Sequence, residues 1–431
     1  MGRSARDKRP QVKPVQKIEL SGEKTGLRAI AAVVFLLIGV GALVYAVDQM
    51  FTIEPGWQTI QAGAADGPTC GDEFVFLYEV GVSGRSAREE SREATRLYTE
   101  ACRKAYQMFH ASERFEDMVS LKELSGRPNE VLAVDRALYQ AFEAVQEAGD
   151  RTVYLGPVYA RYNDLFLCQD DVQLVDFDPR LSEEVAEEYA AIAAYAEDPY
   201  SIDVELLEDS RVCLRVSEDY LAYAQREGID RFLDFGWMRN AFVADYLAET
   251  MMEAGFTCGT ISSHDGFARC LDNREGSYAL PLLDWLEDRP IEAGTLEYQG
   301  PMSLVSLRGF PAAEGDEYRY YRLKNGEVRT LYLDPYDSGL CKLGSDSVGS
   351  VVCYSPARGC AELAMGVGQA YISHFSGDDW SKGLGSGEIR IIDCWSDSHE
   401  FVCTSRETVV TNLYENEDGV RYTLKVGPTP D

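Results

Sequence analysis

The stretch Leu233–Gly255, LDFGWMRNAFVADYLAETMMEAG, constrains this chain more than any other. An apolar run reading as a strand end breaks at Gly236, and an amphipathic pattern then continues to Gly255. The next apolar segment, Thr257–Ser262, reads as a strand and runs on into Ser263-His264-Asp265-Gly266. A strand, a glycine turn, a helix and a second strand in succession bring a helix N-terminus to the end of a sheet. Its unpaired N–H groups and partial positive charge favour a phosphate-bearing ligand there. The segment therefore predicts a helix-on-sheet layer and the position of a pocket.

Charge sets the next bound. The formal net charge is −31 over 431 residues, but residues 1–28 hold eight basic side chains against three acidic ones, or +5. The remainder is then −36 (−31 minus +5). Such a body repels polyphosphate backbones, and no basic patch interleaved with aromatics occurs, so nucleic-acid binding is excluded as a function class. Residues 29–47, AIAAVVFLLIGVGALVYAV, are nineteen without a charge. At about 1.5 Å per residue a helix of this length nearly crosses the roughly 30 Å hydrocarbon layer, with Tyr45 at one interface. A cleaved signal peptide is the alternative. Its apolar core is usually about 7–15 residues, and the weak Val44-Tyr45-Ala46 is the small-x-small site available here. The expectation is an uncleaved signal anchor whose partner is the lipid bilayer. Residues 1–28 form a basic cytoplasmic tail, and the acidic body lies outside the cell membrane.

Residues 48–72, punctuated by Pro55-Gly56 and Gly67-Pro68, read as a linker. A strand is expected at Glu73–Val82, then helices at Ala87–His110, Val131–Ala148 and Ser182–Glu197, with Gly149 ending the second and Ser182 capping the third. Ser217 caps a short helix to Arg226. The second half is richer in strands: Ser303–Leu307, Tyr318–Leu323, Glu327–Leu333 and Ser347–Tyr354, with Asn325-Gly326 as a hairpin turn. A helix follows at Ala357–Tyr371 and a glycine-rich loop at Gly377–Gly387. Two hairpins then close the chain, Glu388–Thr404 and Thr408–Val426, the latter turning at Asp418-Gly419. Strands and helices grouped without strict alternation predict an α+β fold.

Several chemistries lack their motifs. The eleven cysteines include no CxxC pair, so neither a zinc ribbon nor a thioredoxin-like site is expected. Cys394 and Cys403 sit on facing arms of a hairpin, but buried free thiols are the reading for most of the set. Of the four histidines, His110 reads as a helix end, His399 as a hairpin tip and His264 as a residue facing the pocket; His374 has no metal-ligand partner. Nucleophile-elbow, phosphate-loop and dinucleotide fingerprints do not occur.

The same stretch carries a resemblance. Asp234-Phe235-Gly236-Trp237-Met238-Arg239-Asn240-Ala241-Phe242-Val243-Ala244-Asp245 resembles, without a gap, the D-L-G-G-I-A-K-G-Y-A-V-D signature of the ApbE family of FAD:protein FMN transferases. Ser262–Gly266 stands at that family's N-x-G-G-D. Leu331–Gly339 is similar to its H-x-I-D-P-x-T-G, with one added residue, and Cys360–Gly366 to its A-D-A-L-A-T-A. The resemblance covers roughly residues 73–405, with 406–431 left as a C-terminal hairpin extension.

This resemblance implies an ApbE-like domain binding FAD and Mg²⁺ and moving FMN onto a threonine of a partner protein. Splitting a pyrophosphate needs a hard cation with oxygen ligands and donors that hold the phosphates. The family's metal ligands fall at Ala361 and Met365, which cannot serve, and Glu362 is turned about 100° away on a helix. Asn240 stands for the signature lysine, Trp237 for a glycine, His264 and Asp265 for paired glycines, and Leu331 for a histidine. A carboxylate at 265 repels a pyrophosphate unless a metal intervenes. The residues expected to line a flavin pocket are Gly236, Trp237, Asn240, His264, Asp265 and Asp334, with no catalytic residue and no magnesium site. Asp234, Asp245 and Asp334 remain, with turn and cap geometry as their expected role. Trp237 either fills the old pocket or stacks on a flat ligand. The functional expectation is a membrane-anchored, extracytoplasmic module that binds a ligand, possible candidates including FAD, or a membrane redox or flavoprotein partner. The alternative is a divergent active transferase with magnesium rebuilt from Asp265, Asp334 or Glu362.

Overall fold

In the computed structural model the described residues are 53–63, 67–272, 274, 276–312, 314–333, 349–368, 388–395 and 398–427. The expected anchor at 29–47, the basic tail, Asp334 with its Asp-Pro neighbours, Cys341, His374 and the 377–387 loop lie outside them. Among the described residues no helix is long and apolar enough to cross a membrane.

The described strands assemble mainly into one nine-stranded sheet. Its order is Gly56–Ile60, Phe74–Val80, Gly259–Ser263, Phe267–Cys270, Met302–Arg308, Gly349–Ser355, Arg390–Trp395, Glu400–Cys403, Thr423–Val426. Neighbours are antiparallel except the last two, which are parallel. The expected linker therefore contributes an edge strand, Gly56–Ile60. The closing segment is more than a hairpin. Tyr414 and Tyr422 do pair across the Asp418-Gly419 turn, at 2.9 Å. One arm, however, continues into Val409–Thr411, which pairs with Arg289–Gln299, and the other into the large sheet.

Each face of the sheet has its own cover. On one, the Ser277–Leu286 and Arg289–Gln299 hairpin buries Leu282, Ile291, Ala293 and Leu296 against Leu304, Val352, Ile392 and Phe401. On the other, helices Ala87–Met108 and Arg239–Glu253 pack together and onto the first strands, with Phe76 and Tyr98 in ring contact at 5.2 Å. The capping pattern read from sequence is in place. Ser182 Oγ accepts from Val185 N–H and Ser217 Oγ from Tyr220 N–H, while Gly149 ends its helix at φ +66°. Cys394 lies opposite Phe401 and Cys403 opposite Ile392, so those two thiols are not cross-strand neighbours, and both are buried and free.

Three local expectations differ from the structure. Residues before Gly236 are not a strand: Phe232 and Leu233 N–H donate to Ser125 Oγ at 3.0 and 3.2 Å, which satisfies them without a sheet partner. The helix expected from 357 begins at Cys360, because Ser355 Oγ takes the Ala357 and Arg358 N–H groups into a turn. Val131–Ala133 is a strand paired to Arg211–Val216, and the helix begins at Arg136, where Asp135 accepts from Ala137 N–H.

A buried ion pair pins the Tyr320–Arg322/Val328–Thr330 hairpin to the segment before Glu183–Glu197. Arg329 Nε donates to Asp178 Oδ2 at 2.7 Å, both side chains almost wholly buried, and Tyr162 O–H donates to Thr330 C=O at 3.0 Å. Removing one partner of such a pair leaves an uncompensated charge. Arg329→Met is expected to destabilise the fold by about 3–5 kcal/mol, read from the denaturant midpoint, with a smaller loss in Arg329→Met/Asp178→Leu.

Candidate functional site

A cleft of about 410 Å³ opens at the N-terminal end of the Arg239–Glu253 helix. The turn at Gly236–Met238 forms its floor, and Gly236 is needed there. Its φ is +55°, and a Cβ would lie 2.5 Å from the Tyr159 ring. Asp234 Oδ1 accepts the Gly236 N–H at 2.9 Å, closing the turn, and Oδ2 is 3.4 Å from Arg231 Nη1. Asp234 thus serves turn geometry.

The helix end that favours an anion holds the protein's own carboxylates. Arg239 pairs with Glu73, and Asn240 Nδ2 donates to Glu73 Oε2 at 3.1 Å and to Asp265 Oδ2 at 2.8 Å. Asp265 Oδ2 lies 3.7 Å from Arg319 Nη1, and Arg319 also donates to the Tyr318 hydroxyl. The result is one continuous network, Arg239–Glu73–Asn240–Asp265–Arg319. Burial alone pushes the Arg239 guanidinium down, but Glu73, Asp234 and Asp265 outweigh it and hold it above its ordinary value. Arg319 is raised in the same way, Asp265 and Tyr318 outweighing burial. Around the cleft three guanidiniums, Arg231, Arg239 and Arg319, meet four carboxylates, Glu73, Asp164, Asp234 and Asp265.

The expected pocket residues are therefore placed as follows. Gly236, Trp237, Asn240 and Asp265 line the cleft together. His264 does not: its side chain is exposed, because its backbone N–H donates to Glu73 C=O and holds residue 264 at the strand's outer end. Asp334 is outside the described residues. Trp237 is 6% exposed and packs edge-on to Tyr332 at 5.4 Å. A Cβ on Gly368 would come within 2.8 Å of its ring. The indole belongs to the floor. Glu73, His110, Tyr159, Arg231 and Arg319 were not named as pocket residues by the sequence. Each comes from a different segment, and none carries a local motif.

The residues at the family's metal stations do not fit magnesium. Ala361 and Met365 are buried and offer no hard oxygen donor. Glu362 is exposed and pairs with Arg358. Ala361 lines a separate recess, where Asp245 Oδ1 and Oδ2 accept the Cys360 and Ala361 N–H groups, both at 2.9 Å, while pairing with Arg269. Asp245 is therefore a helix cap. Among the described residues no cluster of three His, Cys, Asp or Glu side chains suits a metal ion.

This is an α+β protein with a cleft of paired charges at a helix N-terminus. Its fold is that of the ApbE flavin transferases. It is similar to the ApbE protein of Thermotoga maritima, with a TM-score of 0.51 at 13% identity over 84% of this chain and 97% of that one. The flavin transferase ApbE of Vibrio cholerae gives 0.50 at 13% over 83% and 97%, and a variant of it 0.50 at 15% over 84% and 98%. No family sequence model and no curated protein matches the chain. At these identities the likeness defines the fold.

His110 forms part of the wall. Its Nδ1 accepts the Ser112 and Glu113 N–H groups at 3.2 and 3.0 Å. Burial pushes this imidazole below its ordinary value, against Glu113 and with Arg239 and Arg231. The unfolded chain takes up the proton near pH 6.5 while the folded chain does not, so stability is full above that pH and falls as pH drops below it. An NMR titration is expected to place His110 below the free-imidazole value. His110→Asn is expected to remove its share of the loss in denaturant midpoint between pH 7.5 and 5.5, a window set around the ordinary value of roughly 6.5.

Proposed function

We propose that this chain is a membrane-anchored, extracytoplasmic ApbE-like protein that binds a ligand or partner and does not transfer FMN. Residues 29–47 supply the anchor in the lipid bilayer, and the acidic body carries the cleft. The observation that supports this reading is a cleft whose polar side chains are paired with one another. Asn240 and Asp265 tie two arginine–carboxylate pairs together at the helix end, where a phosphate-holding site needs free donors. The cation that would neutralise a leaving pyrophosphate has no oxygen donor in Ala361 or Met365. A flavin-carrying or membrane redox protein is the partner class that the ApbE fold suggests.

A divergent transferase with rebuilt magnesium ligands is the competing reading. Glu362 is committed to Arg358, and Asp265 to Asn240 and Arg319, which weighs against it. Incubation of the full-length chain in detergent with FAD, Mg²⁺ and a threonine-containing acceptor peptide is expected to leave the peptide unmodified by mass spectrometry. A flavinylated peptide would restore the transferase reading.

A further inference from the structure

Cys70 and Cys102 come from separate segments and meet in the core as free, buried thiols. Cys70 immediately precedes the Gly71–Glu73 turn, and Cys102 lies in the Ala87–Met108 helix. The N–H and the Sγ of Cys70 both donate to one atom, the Cys102 C=O, at 3.5 and 3.3 Å. Two contacts to a single carbonyl oxygen set the backbones of these residues side by side, which is the closeness a disulfide requires. The Cys102 side chain is also the largest influence on the Cys70 thiol and, together with burial, holds it well above its ordinary value.

Other thiols are engaged differently. Cys360 Sγ donates to Ala268 C=O at 3.3 Å, Cys394 Sγ to Asp284 Oδ2 at 3.3 Å and Cys403 Sγ to Ser405 C=O at 3.4 Å. The place of the Cys70–Cys102 pair gives a bond there a consequence. Cys70 C=O accepts the Glu73 N–H at 2.9 Å, and Glu73 carries the carboxylate that meets Arg239 and Asn240 in the cleft. The Ala87–Met108 helix runs on into Phe109 and His110, which line the same cleft. A link between the two cysteines, 32 positions apart in the chain, also removes freedom from the unfolded state and so favours the folded one.

We infer that Cys70 and Cys102 are joined in a disulfide that fastens the Gly71–Glu73 turn, and with it one wall of the cleft, to the Ala87–Met108 helix. The oxidant is a small or protein disulfide that exchanges with the pair. One cysteine thiolate attacks a sulfur of that disulfide and expels a thiolate, leaving a mixed disulfide. The second cysteine thiolate then attacks the first cysteine sulfur and expels the other thiolate. The chain loses two hydrogens and two electrons, and the oxidant leaves as two thiols. Cys70 and Cys102 are only 3% and 0% exposed once folded, so exchange takes place before the turn docks or when it opens locally. The extracytoplasmic placement proposed above supplies such an oxidant, while the pairing itself does not depend on it.

Thiol mapping of the full-length chain in detergent tests it. The reduced chain is held with oxidised and reduced glutathione in sub-denaturing urea, its remaining thiols are blocked, and its peptides are identified by mass spectrometry. The expected product is one linked peptide pair joining Cys70 to Cys102, lighter than the two thiol peptides by two hydrogens. The oxidised chain is expected to melt about 3–5 °C above the reduced one. Cys70→Ala and Cys102→Ala each remove one sulfur, and either is expected to abolish that gap between oxidised and reduced forms. Recovery of both cysteines as free thiols, linkage of either mainly to another cysteine, or an oxidised form that melts with the reduced one overturns the inference. A folded Cys70→Ala or Cys102→Ala chain that keeps the gap overturns it as well. The acceptor-peptide assay decides the non-catalytic reading separately, whatever the thiol map gives.

Discussion

One carboxylate holds the central layer together. Asp245 sits in the Arg239–Glu253 helix, accepts the first two N–H groups of the helix starting at Cys360, and pairs with Arg269 on the strand Phe267–Cys270. Three elements distant in sequence thus meet on two oxygens. Gly359 is part of the same constraint, because a Cβ there would lie 2.6 Å from Asp245 Oδ2. With the helix fixed in this way, its N-terminal end presents Gly236, Trp237 and Asn240 to the cleft.

The cleft combines a fixed backbone turn with side chains paired to one another. The turn at Gly236 and the cap at Asp245 are demands of geometry, and the residues that meet them match the signature of the ApbE transferases. The remaining polar side chains of the cleft satisfy one another. Asn240 is the clearest case. Its amide bridges two carboxylates, Glu73 and Asp265, at the helix end.

Much of the architecture was legible because the local chemistry was explicit. Ser182 and Ser217 announced helix starts, Gly149 a helix end, and Asn325-Gly326 a hairpin. The hairpins that went unread, Ile202–Leu207 with Arg211–Val216 and Ser277–Leu286 with Arg289–Gln299, turn without glycine. Asp209, Ser210, Glu287 and Asp288 adopt positive φ, a conformation these residue types seldom advertise in sequence. The same division governs the cleft. Gly236, Trp237, Asn240 and Asp265 were found by register along one stretch and the strand after it. Glu73, His110, Arg231 and Arg319 converge through tertiary packing, which leaves no period or spacing to read. His264 failed for a related reason: its neighbour's direction was legible, its own was not.

The order of strands across the large sheet follows the order of the chain, from Gly56–Ile60 at one margin to Thr423–Val426 at the other. The sheet therefore grows in one direction as the polypeptide emerges, each new strand docking on the last. At every intermediate length one row of backbone N–H and C=O groups is waiting for a partner not yet made. Such a row is a template for the wrong chain as well as the right one. The parallel C-terminal strand, reached by crossing through the neighbouring small sheet, covers the row left by Glu400–Cys403 and becomes the margin itself.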